Sequence, residues 1–300
     1  MNKIITIAFV CSCIISSTLS AKEISRTWTS TDGTSIEAVL LKYDHEYRSV
    51  VIERKDGLRF RFTTDLLSQK DLDYLKDYYL KKLETKKKVE KLKKLNSQEL
   101  KDSFFNACKN ADLDKLKLLL RVDSNLVKSR YIISNDRYDD ENPHKWDNEE
   151  YTYTGLLWLL DKADPSEERY QCVKLLLKNG ADANASTAEK GTDSARNTIP
   201  YSNRRIDHRE LELLLDHGAD PDFGFCVNRS TLLINTVEKV AEGQGTKDDY
   251  QTINLLIEHG SNPRQDTVAL NKGDKTISAR SVAKRSDNEK LLEILGYRKF

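Results

Sequence analysis

The spacing of apolar residues divides the chain into segments with different periods. An unbroken apolar run from Ile4 to Ile15 follows a short basic start and gives way to small polar residues. Residues 24–77 alternate between apolar and polar positions, which is the period of a half-buried strand. From residue 99 onward, apolar residues recur every three or four positions, as on the buried face of a helix. The pattern predicts a leader, a small β unit and a helical unit.

Residues 24–77 predict a twisted antiparallel sheet with two tight turns. Asp32-Gly33 and Asp56-Gly57 are both Asp-Gly pairs, which allow positive φ at the central turn positions. The residues expected on the buried strand faces around the second turn are Val50, Ile52, Leu58, Phe60 and Phe62. Arg59 and Arg61 point the other way, so the outer surface is expected to be wet and basic. Ser68 is placed to begin a closing helix as its N-cap.

The same segment carries an ordered set of motifs. They are Arg26-x-Trp28-Thr29, Asp32-Gly33, Glu37-Ala38, Asp56-Gly57 and Leu67-Ser68-x-x-Asp71-x-x-Tyr74-Leu75. With these motifs, residues 22–77 resemble the first homology domain of the fungal endocytic adaptor Sla-one, of which related copies occur in exported bacterial proteins. The resemblance covers about a sixth of the chain. It implies an SH3-like all-β barrel that binds peptides or protein surfaces.

The fungal domain recognises Asn-Pro-Phe-x-Asp sorting peptides near the actin cytoskeleton. That role does not transfer directly to a chain that begins with an export signal. Trp28 is the candidate groove aromatic of the unit, and the alternative is that it is a core or half-buried strand residue.

Residues 78–97 are strongly charged and form the expected linker between the two units. Eight lysines lie between Lys81 and Lys94, against the acids Glu84 and Glu90. This composition predicts a solvated helical linker. The alternative is a surface that binds anionic polymer or lipid, but the segment has no interleaved aromatics to stack on nucleic-acid bases.

One phrase occurs three times in the helical part, as VKLLLKNGADANA at 173–185, LELLLDHGADPDF at 211–223 and INLLIEHGSNPRQ at 253–265. Each copy predicts the end of a helix with a buried leucine stripe. The glycine stops the helix because it adopts the left-handed conformation without steric cost. The following Asp or Asn residues can bond to their own backbone in a hairpin tip.

This phrase resembles the second helix and hairpin of the ankyrin repeat. A unit of this kind cannot bury its apolar face alone, so the resemblance implies a stacked α-helical solenoid over residues 98–300. Residues 106–120 resemble a first repeat and residues 276–295 a last one, giving about five repeats. The family's Thr-Pro-Leu-His opening is degraded, and the turn glycines stand 38 and 42 residues apart, longer than the usual period of about 33.

The longest insert in the predicted stack is residues 134–153, which are acidic and aromatic. We read it as a long loop or extension on one face. Trp146 and its acidic neighbours could meet a basic partner, and the alternative is a solvated, divergent loop.

The first 21 residues have the form of a bacterial-type secretory signal, so an exported protein, periplasmic or secreted, is predicted. The alternative is a lipoprotein, because Val10-Cys11-Ser12-Cys13 resembles a processing box that would place lipid on Cys13. The net charge of +1 favours neither nucleic acid nor an acidic surface. The cysteines Cys108 and Cys172 fall in apolar helical patterns and are predicted to be small buried hydrophobic residues.

The sequence carries no recognisable catalytic, metal or cofactor motif. It has no glycine-rich phosphate loop, no nucleophile elbow and no histidine pair with metal-ligand spacing. No catalytic residue, metal or cofactor is therefore assigned. Cys226 is the one cysteine that merits a test as a nucleophile, and an enzyme with its site in the inserts near Cys226 or 135–153 is the alternative reading.

The combined pattern predicts a non-enzymatic, monomeric adaptor or scaffold that binds protein partners, with no nucleic-acid partner and a membrane link only through the signal or the lipid. Two binding modules on one chain can gain avidity or bridge two partners. The predicted protein-binding residues are Trp28, Trp146 and the hairpin-tip residues Asp182, Asn184, Asp220, Asp222, Asn262 and Arg264.

Overall fold

The computed structural model describes residues 25–134, 150–187, 198–199, 208–223, 231–265, 267–268 and 276–296 of the 300-residue chain. The chain divides into two compact units, Met1–Lys87 and Lys88–Phe300. The predicted signal, Cys13, Trp146 and Cys226 lie outside the described residues.

The first unit contains one four-stranded antiparallel sheet. Its strands, in chain order, are β1 (Arg26–Thr29), β2 (Ser35–Asp44), β3 (Ser49–Arg54) and β4 (Arg59–Thr63). Each strand pairs with its neighbours in sequence, and a bulge in β2 lies between Leu40 and Lys42. Val50 pairs with Phe62 and Ile52 with Phe60, so the residues predicted to share the buried face are brought together.

The predicted closed SH3-like barrel is wrong. Among the described strands β1 and β4 stand at opposite edges of an open sheet and do not pair with each other. Closure of a barrel requires hydrogen bonds between the first and last strands. Here the outer edge of β1 is occupied by the chain that follows β4, because the Thr31 amide donates to Leu66 O at 3.0 Å and the Ser68 amide donates to Thr29 O at 2.8 Å.

A helix, rather than barrel closure, covers the core of this sheet. After a short 3₁₀ helix (Thr64–Leu66), helix α1 (Gln69–Leu92) begins at Ser68, whose hydroxyl accepts from the Asp71 amide at 3.3 Å. Leu75 of α1 is buried with the strand residues. The buried apolar residues of the unit are Trp28, Ala38, Val50, Ile52, Leu67 and Leu75.

The second unit is mainly helical. Its helices are α2 (Ser97–Lys109), α3 (Leu113–Val122), α4 (Gly155–Lys162), α5 (Glu167–Lys178), α6 (His208–Asp216), α7 (Leu232–Ala241), α8 (Lys247–Glu258), α9 (Ala279–Ser286) and α10 (Glu289–Ile294). A short 3₁₀ helix spans Ser124–Lys128. Two small antiparallel sheets pair β5 (Arg130–Ser134) with β6 (Glu150–Thr154) and β7 (Thr267–Val268) with β8 (Thr276–Ile277).

These helices form hairpins that stack on one another. Consecutive helices pack as α2 with α3, α4 with α5, α7 with α8 and α9 with α10. Between hairpins, α2 packs on α4 and α7 on α9, while α3, α5, α6 and α8 follow one another in a second row. The buried apolar residues of all these helices belong to one continuous core. Stacking therefore buries a face that no hairpin could bury alone.

Threonines that precede the first helices of two hairpins act as N-caps. Thr154 Oγ1 accepts from the Leu157 amide at 3.3 Å, and Thr231 Oγ1 accepts from the Ile234 amide at 3.2 Å. Each threonine is the residue directly before its helix and has extended backbone. A threonine at this position satisfies one of the amides that a helix start leaves unpaired.

The insert at 134–153 is not a loop at its ends. Residues on both sides of 135–149 pair in antiparallel register, with Tyr131 opposite Tyr153 and Ile132 opposite Thr152. Aromatic and β-branched residues make up most of β5 and β6, and these residue types favour extended backbone over a loop. Residues 135–149 lie outside the described part of the chain.

Candidate functional site

The three copies of the repeated phrase form three turns that we call the turn row, residues 180–185, 218–223 and 260–265. Each turn follows the end of a second-row helix: α5, α6 or α8. The glycines that open the turns have φ of 85° at Gly180, 84° at Gly218 and 91° at Gly260. This left-handed conformation favours glycine, so the sequence prediction of where each helix stops is confirmed.

The residue before each glycine caps the helix end with its side chain. Asn179 Nδ2 donates to Leu175 O at 2.8 Å. At the corresponding places, His217 Nδ1 lies 2.7 Å from Leu213 O and His259 Nδ1 lies 2.9 Å from Leu255 O. Each of these carbonyls also accepts from the backbone amide of the same capping residue, so the side chain adds a second bond at the helix end.

Each turn is also held by a bond within itself. The side-chain oxygen of the residue two places after the glycine accepts from the backbone amide two places further on. The distances are 2.9 Å for Asp182 Oδ1 and the Asn184 amide, 3.0 Å for Asp220 Oδ1 and the Asp222 amide, and 3.0 Å for Asn262 Oδ1 and the Arg264 amide.

Asn184 joins the first turn to the second. Its Nδ2 donates to Gly218 O at 2.7 Å, and its Oδ1 accepts from the Asp220 amide at 2.7 Å. One carboxamide therefore satisfies a carbonyl and an amide of the next turn at the same time. Because an exposed asparagine can do this only at one spacing and orientation, the contact fixes the register between the two turns.

Asp222 joins the second turn to the third with different chemistry. Its Oδ2 accepts from the Asn262 amide at 2.9 Å, and its Oδ1 accepts from the hydroxyl of Ser261. A carboxylate has no donor for a carbonyl, so the serine hydroxyl supplies the second bond. Arg264 occupies the place that corresponds to Asn184 and Asp222, and its guanidinium has no acceptor with which to continue the series.

The turn row gathers all six predicted hairpin-tip residues. Asp182, Asn184, Asn262 and Arg264 are exposed, and Asp220 and Asp222 are half-buried. The side chains of Asn184 and Asp222 form the hydrogen bonds between turns. Asp182 and Arg264, at the two ends of the row, are the exposed charged residues that can meet a partner without breaking a link between turns.

Trp28 lies in the core of the sheet and does not line a groove. It is 1% exposed, and its Nε1 donates to Ala38 O at 3.1 Å. Tyr74 of α1 meets its ring edge to face at a centroid distance of 5.8 Å. The groove interpretation of Trp28 is therefore replaced by its alternative, a core strand residue.

Several of the residues that carry the Sla-one resemblance meet around Asp71. Asp71 is 1% exposed and accepts from Arg26 Nη2 at 2.6 Å, from the Thr29 amide at 2.8 Å and from Ser68 Oγ at 2.8 Å. The Arg26 guanidinium also lies 3.7 Å from the ring centre of Tyr74. These contacts tie β1 to the start of α1, so the motif residues have a structural role inside this unit.

Sequence reasoning missed a buried ion pair between two second-row helices. Arg169 Nε donates to Glu210 Oε1 at 2.9 Å and Arg169 Nη2 to Glu210 Oε2 at 2.5 Å, with both side chains fully buried. The available signal was positional: each residue stands at a three- or four-residue step from the apolar stripe of its own helix, where a charge is unusual.

The two described cysteines are buried, as predicted. Cys108 and Cys172 are free thiols with no exposed surface. Burial raises the pKa of Cys108 well above its usual value, and the nearby Cys172 adds to the effect. Burial is also the main cause that raises the pKa of Cys172, to about 12. Neither thiol is poised to act as a nucleophile.

Three further features of the described ranges concern metal binding, membrane insertion and surface clefts. Over these residues, no three His, Cys, Asp or Glu side chains are grouped as a metal ion would require. No helix there combines the length and apolar character needed to cross a bilayer. A shallow open cleft between α7 and α9 is lined by Glu238, Ala241, Glu242, Val282, Arg285 and Ser286.

Comparison with known proteins does not place the chain in a family. No protein-family model matches it, and no curated protein matches its sequence.

Proposed function

We propose that this chain is a non-enzymatic adaptor or scaffold whose stacked helical hairpins bind protein partners through the turn row. We further propose that these hairpins are divergent repeats of the ankyrin type. The supporting observation is that three turns of equivalent conformation are linked side by side through Asn184 and Asp222. A surface that is already held in register loses little conformational entropy when a partner binds to its side chains.

The charges of the turn row support a protein partner with both signs of charge. Asp182 and Arg264 are exposed at opposite ends of the row. Between them lie the exposed amides Asn184 and Asn262. Mixed polar groups of this kind suit the rim of a protein interface, where they set orientation and exclude wrong partners.

Export to the cell envelope is part of the proposal and rests on residues 1–21 alone. In that compartment, the sheet unit would act as a second module on the same chain. Its connection through α1 would let the two units hold two partners, or two sites on one partner, at raised effective concentration.

A site-specific photocrosslinking experiment tests the proposal. A photoreactive residue is placed in the full chain at Asp182 or Arg264, and envelope extract is irradiated with each variant. Lys174, exposed on α5, serves as the matched control position. We expect protein adducts of defined mass from the two turn-row positions and none from Lys174.

A fourth crosslinking position distinguishes protein binding by the turn row from the main alternative, binding of anionic polymer or lipid by α1. Lys87 is exposed on the charged part of α1. Adducts of polymer or lipid from this position, without protein adducts from the turn row, would replace the scaffold proposal by binding to an anionic surface. Equal labelling at the turn row and at Lys174 would remove the turn row as the binding surface.

A further inference from the structure

His259 makes a contact that the other turn-row caps lack. Its Nδ1 lies 2.9 Å from Leu255 O within α8, and its Nε2 lies 3.2 Å from Asp216 Oδ1 at the end of α6. The ring therefore spans from the third turn to the helix that precedes the second. The ring is half-buried, with 25% of the His259 side chain exposed, while Asp216 is 57% exposed.

The protonation of the ring decides whether this contact attracts or repels. A carbonyl only accepts, so the bond to Leu255 requires the hydrogen on Nδ1. In the neutral ring, Nε2 then carries a lone pair, which faces the Asp216 carboxylate and cannot donate to it. One added proton turns Nε2 into a donor and the contact into an ion pair. We propose that His259 and Asp216 form a proton-operated latch that ties the third turn to the second in mildly acidic surroundings.

The chain contains its own comparison for this arrangement. Asn179 and His217 make the same backbone bond in the first two turns, at 2.8 Å and 2.7 Å. The residue before Asn179 is Lys178, whereas the residue before His217 is Asp216. The residue at this position is basic in the first turn, Lys178, and acidic in the second, Asp216. The contact between an acid and the histidine of the next turn therefore occurs once among the three turns, between α6 and α8.

The surroundings of His259 favour the protonated ring. The bond to the Leu255 carbonyl, opposed by partial desolvation and reinforced by Asp216 on α6 and Glu258 on α8, raises the pKa of His259 above its ordinary 6.5. A raised folded-state pKa stabilises the folded chain below the unfolded value near 6.5. That contribution fades as the pH rises through the folded-state value. The latch is thus closed in mild acid and open in alkali.

Proton NMR titration of the full chain tests the electrostatic part. In the unsubstituted protein and in Asp216→Asn, the His259 ring signal is followed from pH 5 to pH 9. Removal of the carboxylate is expected to lower the midpoint of the His259 titration by a few tenths of a pH unit, as for a partly exposed pair. An unchanged midpoint would overturn the latch.

Hydrogen exchange tests whether the proton acts on the turns. The reporter is the Asn262 amide, which donates to Asp222 across the two turns. Its protection factor, corrected for intrinsic exchange, is expected to be about twofold higher at pH 5.5 than at pH 8. His259→Asn is the matched variant because Asn179 makes the same helix cap, and in it the pH effect should vanish. A pH effect of equal size in His259→Asn would show that another group is responsible and would overturn the proposal.

Discussion

Arg169 on α5 and Glu210 on α6 form a two-point ion pair that is fully buried between adjacent hairpins. Arg169 Nη1 also donates to Ala163 O at 2.8 Å, which places one helix, the next helix and a connecting turn in a single hydrogen-bonded group. Taking two charges out of water is costly, and it is repaid only when the geometry satisfies nearly every donor and acceptor. The pair therefore specifies one offset between the two helices and penalises others.

Loss of one partner from this pair should destabilise the protein strongly. Glu210→Ala leaves the Arg169 guanidinium buried without its carboxylate, and we expect a loss of about 3–5 kcal/mol in the free energy of unfolding. Urea unfolding followed by circular dichroism measures it. The double variant Arg169→Met with Glu210→Leu removes both charges and should lose less than Glu210→Ala. If the double variant loses as much stability as the single variants Arg169→Met and Glu210→Leu lose together, the two residues act independently.

The link made by Asn184 should be replaceable by the chemistry of the next link along the row. Asn184→Asp removes the donor to Gly218 O, and we expect a loss of about 1 kcal/mol. Adding Ala219→Ser places a hydroxyl where Ser261 stands in the third turn, and should recover part of that loss. Thermal unfolding of the two single variants and the double variant gives the coupling. Recovery absent from the double variant would mean that the two links are not equivalent.

Gly155 should not tolerate a side chain. A Cβ built at this position would lie 2.4 Å from Phe104 Cε1 and 2.6 Å from Phe104 Cζ. Alanine favours a helix over glycine by up to about 1 kcal/mol, yet overpacking costs about 1–3 kcal/mol, so a net loss is expected for Gly155→Ala. Denaturant unfolding in the Phe104→Leu background is the control, because the smaller side chain should relieve most of the clash. The same loss in both backgrounds would place the strain elsewhere.

The two buried thiols should react only slowly with alkylating reagents in the native protein. With its pKa raised to about 12, Cys172 is almost entirely protonated at pH 8. The pKa of Cys108 is also raised. Alkylation by iodoacetamide with peptide mapping should label both residues slowly in buffer and quickly in urea, because the thiolate is the reactive form. Rapid labelling in buffer would indicate local opening of α2 or α5.

The sequence predicted features that depend on neighbours along the chain. The alternation through Val50, Ile52, Phe60 and Phe62 predicted which residues share the buried face of β3 and β4, and their pairing confirms it. Leu58 was placed on the same face and is 40% exposed, because it lies in the turn before β4 begins. Residue alternation describes a strand but does not say which edges of the sheet meet.

Features that depend on contacts between distant residues could not be predicted in the same way. The barrel prediction failed because residues 66–68, rather than β4, occupy the edge of β1. Asn184 was expected at a hairpin tip, but its bonds to Gly218 and Asp220 depend on how two hairpins are offset, which no local pattern encodes. The buried position of Trp28 likewise depends on α1 folding back over the sheet.

In a repetitive chain, the length of the repeat along the sequence and the spacing of the turns in space usually vary together. The bonds between turns make these two properties independent here. The turn glycines are 38 and 42 residues apart, yet in both links the backbone amide two places after the glycine donates to a side chain of the preceding turn. Extra residues between the turns are therefore absorbed away from the joined strip. Loop insertions add little entropic cost as they lengthen. Such a chain can gain or lose inserted segments over evolution while the spacing of its exposed strip stays constant.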